Sequence, residues 1–442
     1  MGYWKNRPIE AGESGLVAGA ADGKYVCADC FTDLSLKEVV RETVESDTCT
    51  FCGATDDNEI AAPLETVMEH ISQCLLQLYE DPANGMSFES AEGGYQGETF
   101  DTWDLLDRIG MSDYLAEEAE GPLLAAIREC LVFATWCEKD PYALRQHEAL
   151  SSSWEYFCEF IKHERRFFFL QEQPAYAERS FGQLLDPGAM LGALVKQALK
   201  LALITFLDQG ARVFRVRQET DGKPHRASLD LGAPPSDQAV QANRMSPPGV
   251  VMTYVSEDEE TALAETVDED GSYSVGQFEL ARSAFVLDLT RLPEIPSIFD
   301  LHRASQRDFI IFLHSFAQDV SKPIDRDAKK GLFHVEYVPT QVVTEYFRVS
   351  PELQKAGVEG LRFASSRSEN GASLVLFGGR DLLWLDDSEK QALTAQEERA
   401  AAKSSPLLRL VGSSSRTFPM PPSQESSSAS PTPSSGRTGG SR

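Results

Sequence analysis

The residues in this chain best suited to chemistry lie in its second half, in an order that fits a nucleotide. Phe214-Arg215-Val216-Arg217 puts two guanidiniums on one face of a strand, because alternate positions share a side. Asn243-Arg244-Met245-Ser246-Pro247-Pro248-Gly249 follows, and its Pro-Pro-Gly forces a turn before an apolar run that ends at Tyr254. Ser256 and Glu259 have capping-box spacing, so a helix is expected to start directly after the tyrosine. On that helix Asp258, Thr261, Ala262 and Glu265 share a face of small side chains that a ligand could approach, while Leu263 and Val267 point to a core. Further on, Gly360-Leu361-Arg362-Phe363-Ala364-Ser365-Ser366-Arg367 ends in a hydroxyl-rich turn. Arg215, Arg244, Tyr254, Glu265 and Ser365 are together an inventory for a dinucleotide. Guanidiniums clamp a pyrophosphate, an aromatic stacks on a planar base, and a carboxylate holds ribose hydroxyls and steadies positive charge at an anomeric carbon. Residue type alone leaves plainer readings open: a solvated arginine face, a packed tyrosine with a wet hydroxyl and a surface glutamate.

A second constellation is Cys27-Ala-Asp-Cys30 and Cys49-Thr-Phe-Cys52, separated by eighteen residues. Two such knuckles can present four thiolates to one tetrahedral Zn²⁺. Four thiolates leave no open coordination position, so the expected role is structural: folding a segment too short to hold its own core. Asp22, Asp29, Asp33, Glu38, Glu42, Glu45 and Asp47 make the segment acidic and argue against a nucleic-acid-binding ribbon. Cys74, Cys130, Cys137 and Cys158 fall in apolar stretches and read as buried thiols.

Several elements must position these residues. From Pro63 to Phe169 the period is helical, with Leu64, Val67, Met68, Ile71, Leu75 and Leu78 on one face and Pro82 as the stop. Trp103, Leu106, Leu123, Leu124, Ile127, Leu131 and Trp136 suggest further helices, Ser153 reads as the cap of another, and Gly94 to Glu98 as a loop. Ala189 to Leu207, interrupted by Lys196 and Lys200, reads as a buried helix rather than a membrane span. Beyond Thr205, β-rich runs at 213–216, 250–255, 284–289 and 373–377 alternate with helical stretches at 257–267 and 340–347, the texture of an α+β or α/β domain. Glu257 to Glu260 read as a first turn matched to the helix dipole. Ser413 to Arg442 are poor in apolar groups and read as disordered. With 69 acidic against 41 basic residues the net charge is −28, which excludes broad coating of nucleic acid. No apolar leader opens the sequence, and the expected address is the cytoplasm.

The order Phe-Arg-Val, Arg244-Met-Ser-Pro-Pro-Gly249, Tyr254, Ala262-Leu-Ala-Glu265 and Ser365, with Tyr337-Val-Pro-Thr-Gln341 before the last helix, resembles the RES domain. The cysteine knuckles, with Trp154-Glu-Tyr-Phe157 and Lys162-His-Glu-Arg-Arg-Phe167, are similar to the HEPN-like domain found before some RES domains. With the resemblance, the expected organisation is a multidomain chain: a four-cysteine zinc knuckle at 20–60, read from the cysteine spacing, a HEPN-like all-α domain at 61–204, a RES domain of α+β ADP-ribosyltransferase-like fold at 205–385, and, from composition, a disordered Ser/Pro-rich tail at 388–442. It implies consumption of NAD⁺ by hydrolysis, phosphorolysis or ADP-ribosyl transfer, in a toxin or defence effector held by an inhibitor such as a helix-turn-helix antitoxin; whether the chain forms a homo-oligomer stays open. Carried over by position, Arg215, Arg217, Arg244 and Tyr254 would bind NAD⁺. Arg215 and Arg244 would hold the phosphates, with Tyr254 on the nicotinamide or its ribose. Glu265 would steady the ribosyl cation and Ser365 would orient the ribose or a phosphate. Phe363 stands where many relatives carry Tyr, and no histidine follows Arg128 or Arg145 at the spacing of a HEPN ribonuclease. The alternatives are a non-catalytic NAD⁺- or ADP-ribose-sensing protein and, behind it, a HEPN-type RNase.

Overall fold

The computed structural model describes residues 16–17, 19–132, 135–167, 184–322 and 333–418. The chain divides into two compact units: Met1–Leu203 with Arg291–Val320, and Ile204–Thr290 with Ser321–Arg442. Residues 291–320, inside the expected span 205–385, pack with the first unit. Phe299 supplies the physical reason. It is fully buried in that unit's core, packs edge-on against Tyr114 at 5.1 Å, and accepts a hydrogen bond from His70 Nε2 at 2.8 Å.

In the first unit β1 (Tyr25–Cys27) pairs antiparallel with β2 (Ala61–Pro63). The helix Leu64–Leu78 buries Leu64, Val67, Met68, Ile71 and Leu75, most of the expected stripe. Helices Thr102–Arg108 and Glu120–Cys130 follow. The region is helical but not all-α. Besides β3 (Tyr79–Glu80), it holds a hairpin of β4 (Phe88–Glu89) and β5 (Gly94–Tyr95) where a loop was expected. β6 (Phe100–Asp101) and β7 (Thr135–Glu138) complete a small sheet in the order β3-β7-β6, and Trp136 is a strand residue there rather than a helical one. Ser153 caps nothing. It lies inside the helix Gln146–Glu159, donating to Ala149 O at 2.5 Å and accepting from Leu185 N at 2.9 Å. Cys74, Cys130 and Cys137 are buried, and burial pushes their thiols up to about 12, 11 and 11; Cys158 is half-buried. The helix Pro187–Lys200 buries Met190, Leu191, Leu194 and Val195. No helix among the described residues is long and apolar enough to cross a membrane.

The second unit is built on one eight-stranded sheet. Its strands are β8 (Ile204–Leu207), β9 (Arg212–Gln218), β10 (Thr253–Ser256), β11 (Gly271–Leu280), β12 (Ala284–Asp288), β13 (Val358–Ala364), β14 (Ala372–Leu376) and β15 (Leu408–Phe418), in the order β15-β11-β9-β10-β14-β13-β12-β8. Every neighbouring pair is antiparallel except β12 and β13, whose parallel pairing requires a long crossover. The apolar runs read as strands become β9, β10, β12 and β14. The register between β9 and β10 consists of the single pair Ser256↔Phe214, so the sheet is thinly joined at its middle, beside the residues that could do chemistry.

Two expectations fail here. The tail is not disordered from 388: the helix Ala395–Ala401 forms, and β15 runs beside β11 from Leu280↔Leu408 to Gly271↔Phe418. Its part at 419–442 lies outside the described residues. Ser256 is not a helix cap either. It stays in β10, bonded to Ser373 Oγ at 3.1 Å, and Asp258 caps the helix Glu259–Thr266 by accepting from Thr261 N at 2.7 Å.

Glu257 is not a dipole-matched first-turn residue. Its carboxylate takes a two-point bond from buried Arg362, at 2.7 and 2.6 Å, and Arg362 also donates to buried Asp288 at 3.0 Å. Burial alone would raise Asp288; Thr290, Thr205 and Arg362 outweigh it and hold the carboxyl below its usual range. Arg362→Lys keeps the charge and loses the planar fork, so it is expected to cost about 1–2 kcal/mol in denaturant unfolding at neutral pH. Because the folded Asp288 pKa is depressed, its contribution is present above about pH 4 and lost as pH falls through the folded value, and the penalty of the variant should shrink there.

Candidate functional site

Each expected residue sits on a defined element. The turn 247–250 closes through Val250 N to Pro247 O at 3.1 Å, with Gly249 at φ +84°, a conformation that suits glycine. It delivers the chain into β10, where Tyr254 is half-buried. The Tyr254 hydroxyl accepts from Met245 N at 3.2 Å and bonds Ser246 Oγ at 2.9 Å. Burial raises the phenol to about 12, against the pull of those two bonds and of the Arg215 and Arg244 charges, so it stays protonated at neutral pH.

Arg215, on β9, donates to the backbone carbonyl of Tyr254 at 3.1 Å. Burial, with Arg217 adding repulsion, pulls it down to about 10, and it remains a cation at neutral pH. Among the described residues no carboxylate pairs with it. Arg217 shares the strand face but donates to Asp230 O at 2.6 Å and makes no hydrogen bond to Tyr254, Glu265 or Ser365 among those described. Arg244 donates to Lys322 O at 2.5 Å and lies 6.0 Å from the Tyr337 ring centroid. Burial lowers its pKa, while the nearby Tyr337, Glu265 and Tyr254 work in the other direction.

Glu265, near the C-terminal end of the helix Glu259–Thr266, accepts from Ser365 Oγ at 2.5 Å. Ser365 begins the loop between β13 and β14. Its oxygen accepts the backbone N–H groups of Arg367 and Ser368, both at 3.1 Å, and its one proton goes to Glu265. Arg367 donates to Asp268 and to Ala264 O, fastening the end of the helix. Gly371 allows the close approach: a Cβ there would lie 2.3 Å from Thr261 Oγ1. The structure thus brings Arg215 to Tyr254, Glu265 to Ser365, and Arg244 within electrostatic reach of Tyr254 and Glu265. Residue types alone assigned no role to Ser246, Tyr337, Thr340, Gln341 or Lys322. The Tyr-Val-Pro-Thr-Gln run was the one visible signal for three of them.

In the first unit the Sγ atoms of Cys27, Cys30, Cys49 and Cys52 lie within 4.8 Å of one another, with 3.6 Å for 27–30 and 3.5 Å for both 27–52 and 30–49. Tetrahedral Zn–S bonds of about 2.3 Å place sulfurs about 3.8 Å apart, so the four thiols fit one metal ion.

Compared with known families, residues 42–175 match the HEPN/RES N-terminal domain 1 and residues 212–395 match the RES domain. No curated protein and no solved structure matches the chain. The RES match covers Arg215, Arg244, Tyr254, Glu265 and Ser365, and its family is linked to NAD-related toxin–antitoxin systems. The chain is a RES domain protein with a HEPN/RES N-terminal domain.

Proposed function

We propose that the second unit, as an ADP-ribosyltransferase-like domain, cleaves the bond between nicotinamide and ribose in NAD⁺. The observation that carries this reading is Arg215, a guanidinium depressed by burial that has no carboxylate partner among the described residues and faces Tyr254. A half-buried cation without a counterion favours an anionic ligand that completes it, and a pyrophosphate does so. In the reaction Arg215 and Arg244 grip the two phosphates, and Tyr254 packs against the nicotinamide ribose. The C1′–N bond breaks, and its electron pair stays on the ring nitrogen of the departing neutral nicotinamide. Glu265 steadies the cationic sugar, as carboxylates do in glycoside cleavage, and Ser365 keeps that carboxylate turned toward the sugar. An acceptor oxygen or protein nucleophile then bonds to C1′. Depletion of NAD⁺ fits a toxin or defence effector, kept in check by an inhibitory partner.

For the four cysteines we propose Zn²⁺ as the resident ion, with a structural role. Four soft thiolates at tetrahedral spacing suit it, and they leave no position for substrate.

A proton-NMR time course of NAD⁺ with the purified chain, with and without phosphate, tests the activity. Free nicotinamide is expected to accumulate, and the co-product identifies the acceptor. Unchanged NAD⁺ over hours in both buffers, together with no transfer of label from NAD⁺ to lysate proteins, would overturn the reading.

A further inference from the structure

The helix Val338–Val349 buries three polar side chains, Thr340, Gln341 and Thr344, at 8%, 6% and 1% exposure. Buried polar groups persist where they find partners, and all three find them on one short segment. Thr340 Oγ1 lies 2.5 Å from Arg244 O and 2.9 Å from Tyr337 O. Thr344 Oγ1 lies 3.2 Å from Met245 Sδ and 2.7 Å from Thr340 O. Gln341 directs its two Nε2 hydrogens to separate carbonyls, Asn243 O at 2.7 Å and Ser246 O at 3.3 Å. Those carbonyls flank Arg244 and Met245, in a turn that also closes through Asn243 N to Ser246 O at 2.9 Å.

The same turn supplies the hydrogen bonds that hold the Tyr254 hydroxyl among the described residues, from Met245 N and with Ser246 Oγ. One glutamine amide therefore pins both ends of the four residues that carry the Arg244 guanidinium and fix the Tyr254 ring. We propose that Gln341 is a positioning residue for NAD⁺ binding: it touches no substrate and acts through Arg244 and Tyr254. The inference rests on the reading of the second unit given above.

Gln341→Leu has nearly the same volume and leaves Asn243 O without its amide. Kd and KM for NAD⁺ are expected to rise about tenfold with kcat within about threefold, because the groups displaced bind ground state and transition state alike. In an Arg244→Ala background the same substitution should cost clearly less, since one of the two residues it positions is gone and only the part acting through Tyr254 remains. A general loss of folding would be as costly in either background. Should Gln341→Leu not fold, Gln341→Glu reads the same contact. Its carboxyl can donate one hydrogen when protonated and none when ionised, so its KM should approach wild type at acid pH and climb as pH rises. An unchanged KM, an equal penalty in both backgrounds, or a pH-independent KM for the glutamate variant overturns the inference while wild-type turnover keeps the reading. Wild-type protein that neither binds nor consumes NAD⁺ removes both.

Discussion

Glu265→Gln is expected to lower the rate of nicotinamide release by at least about 10²–10³-fold, the usual cost of deleting one preorganised charge at a developing ion. The substitution is close to pure charge removal. Ser365 donates its proton to Glu265 Oε1, and a glutamine carbonyl oxygen at that place accepts the same bond. The helix is held by its Asp258 cap, by Arg367 at its far end and by the Ser365 turn, none of which needs the Glu265 charge. Folding stability should therefore move by less than about 0.5 kcal/mol, as for other half-exposed positions. KM is expected to change little, because in the proposed reaction the pyrophosphate falls to Arg215 and Arg244 rather than to the carboxylate. The measurement is initial-rate nicotinamide release, paired with denaturant unfolding. A glutamine variant within threefold of wild-type kcat would mean that the carboxylate steadies no sugar cation, and the assigned chemistry would fall.

Much of this site was legible because its residues belong to one short, strongly patterned block. Arg244, Tyr254 and Glu265 lie on a turn, a strand and a helix that follow one another, so local rules sufficed to order them, although β10 runs on to Ser256 instead of ending at Tyr254. The partners that orient them are remote in sequence, and local rules cannot find a helix at 338–349 bonding to 243–246. At the cap of the helix Glu259–Thr266 two frames compete. Ser256 and Glu259 have the capping spacing, but the register of β10 with β14 sets Ser256 opposite Ser373, and Asp258 then takes the cap. Strand content followed apolar composition for β9, β12 and β14. It failed for β11 and β15, where Ser272, Ser274, Gly276 and the run Gly412-Ser-Ser-Ser415 resemble loop. These two strands pair through their backbones along their length, with one register shift between Gln277 and Phe278. Sheet pairing asks for N–H and C=O groups before it asks for side chains, so a serine-rich segment can occupy an edge. Arg416 then meets Glu259 at 2.9 Å, on the first turn of the helix that carries Glu265.

Cys30→Ser is expected to abolish metal binding and to destabilise the first unit by at least about 3 kcal/mol, since a structural thiolate site converts its binding energy into folding energy. The reason lies in where the cysteines sit. Cys27 ends β1, Cys30 closes the turn that follows it, and both are buried with Cys49 in the core that includes Val26, Phe31, Leu36, Ala61 and Leu64. β1 and β2 are three-residue strands, too short to persist on backbone pairing alone. The Cys49–Cys52 turn is tied to this core by the N–H of Cys27 to Cys49 Sγ at 3.3 Å and by Thr50 N to Tyr25 O at 2.8 Å. Without the ion, four thiols converge on one point, hydrogen bonds such as those two are left to tie the turn to the core, and the turn is expected to release. Elemental analysis should find about one zinc per chain in wild-type protein and none in the variant. Amide hydrogen exchange should then lose protection first in residues 25–64 and in the facing helix Leu64–Leu78, while the strands β9 to β14 keep theirs. A metal-free chain with wild-type protection at β1 and β2 would show that the core alone holds the knuckle and that the ion contributes nothing to the fold.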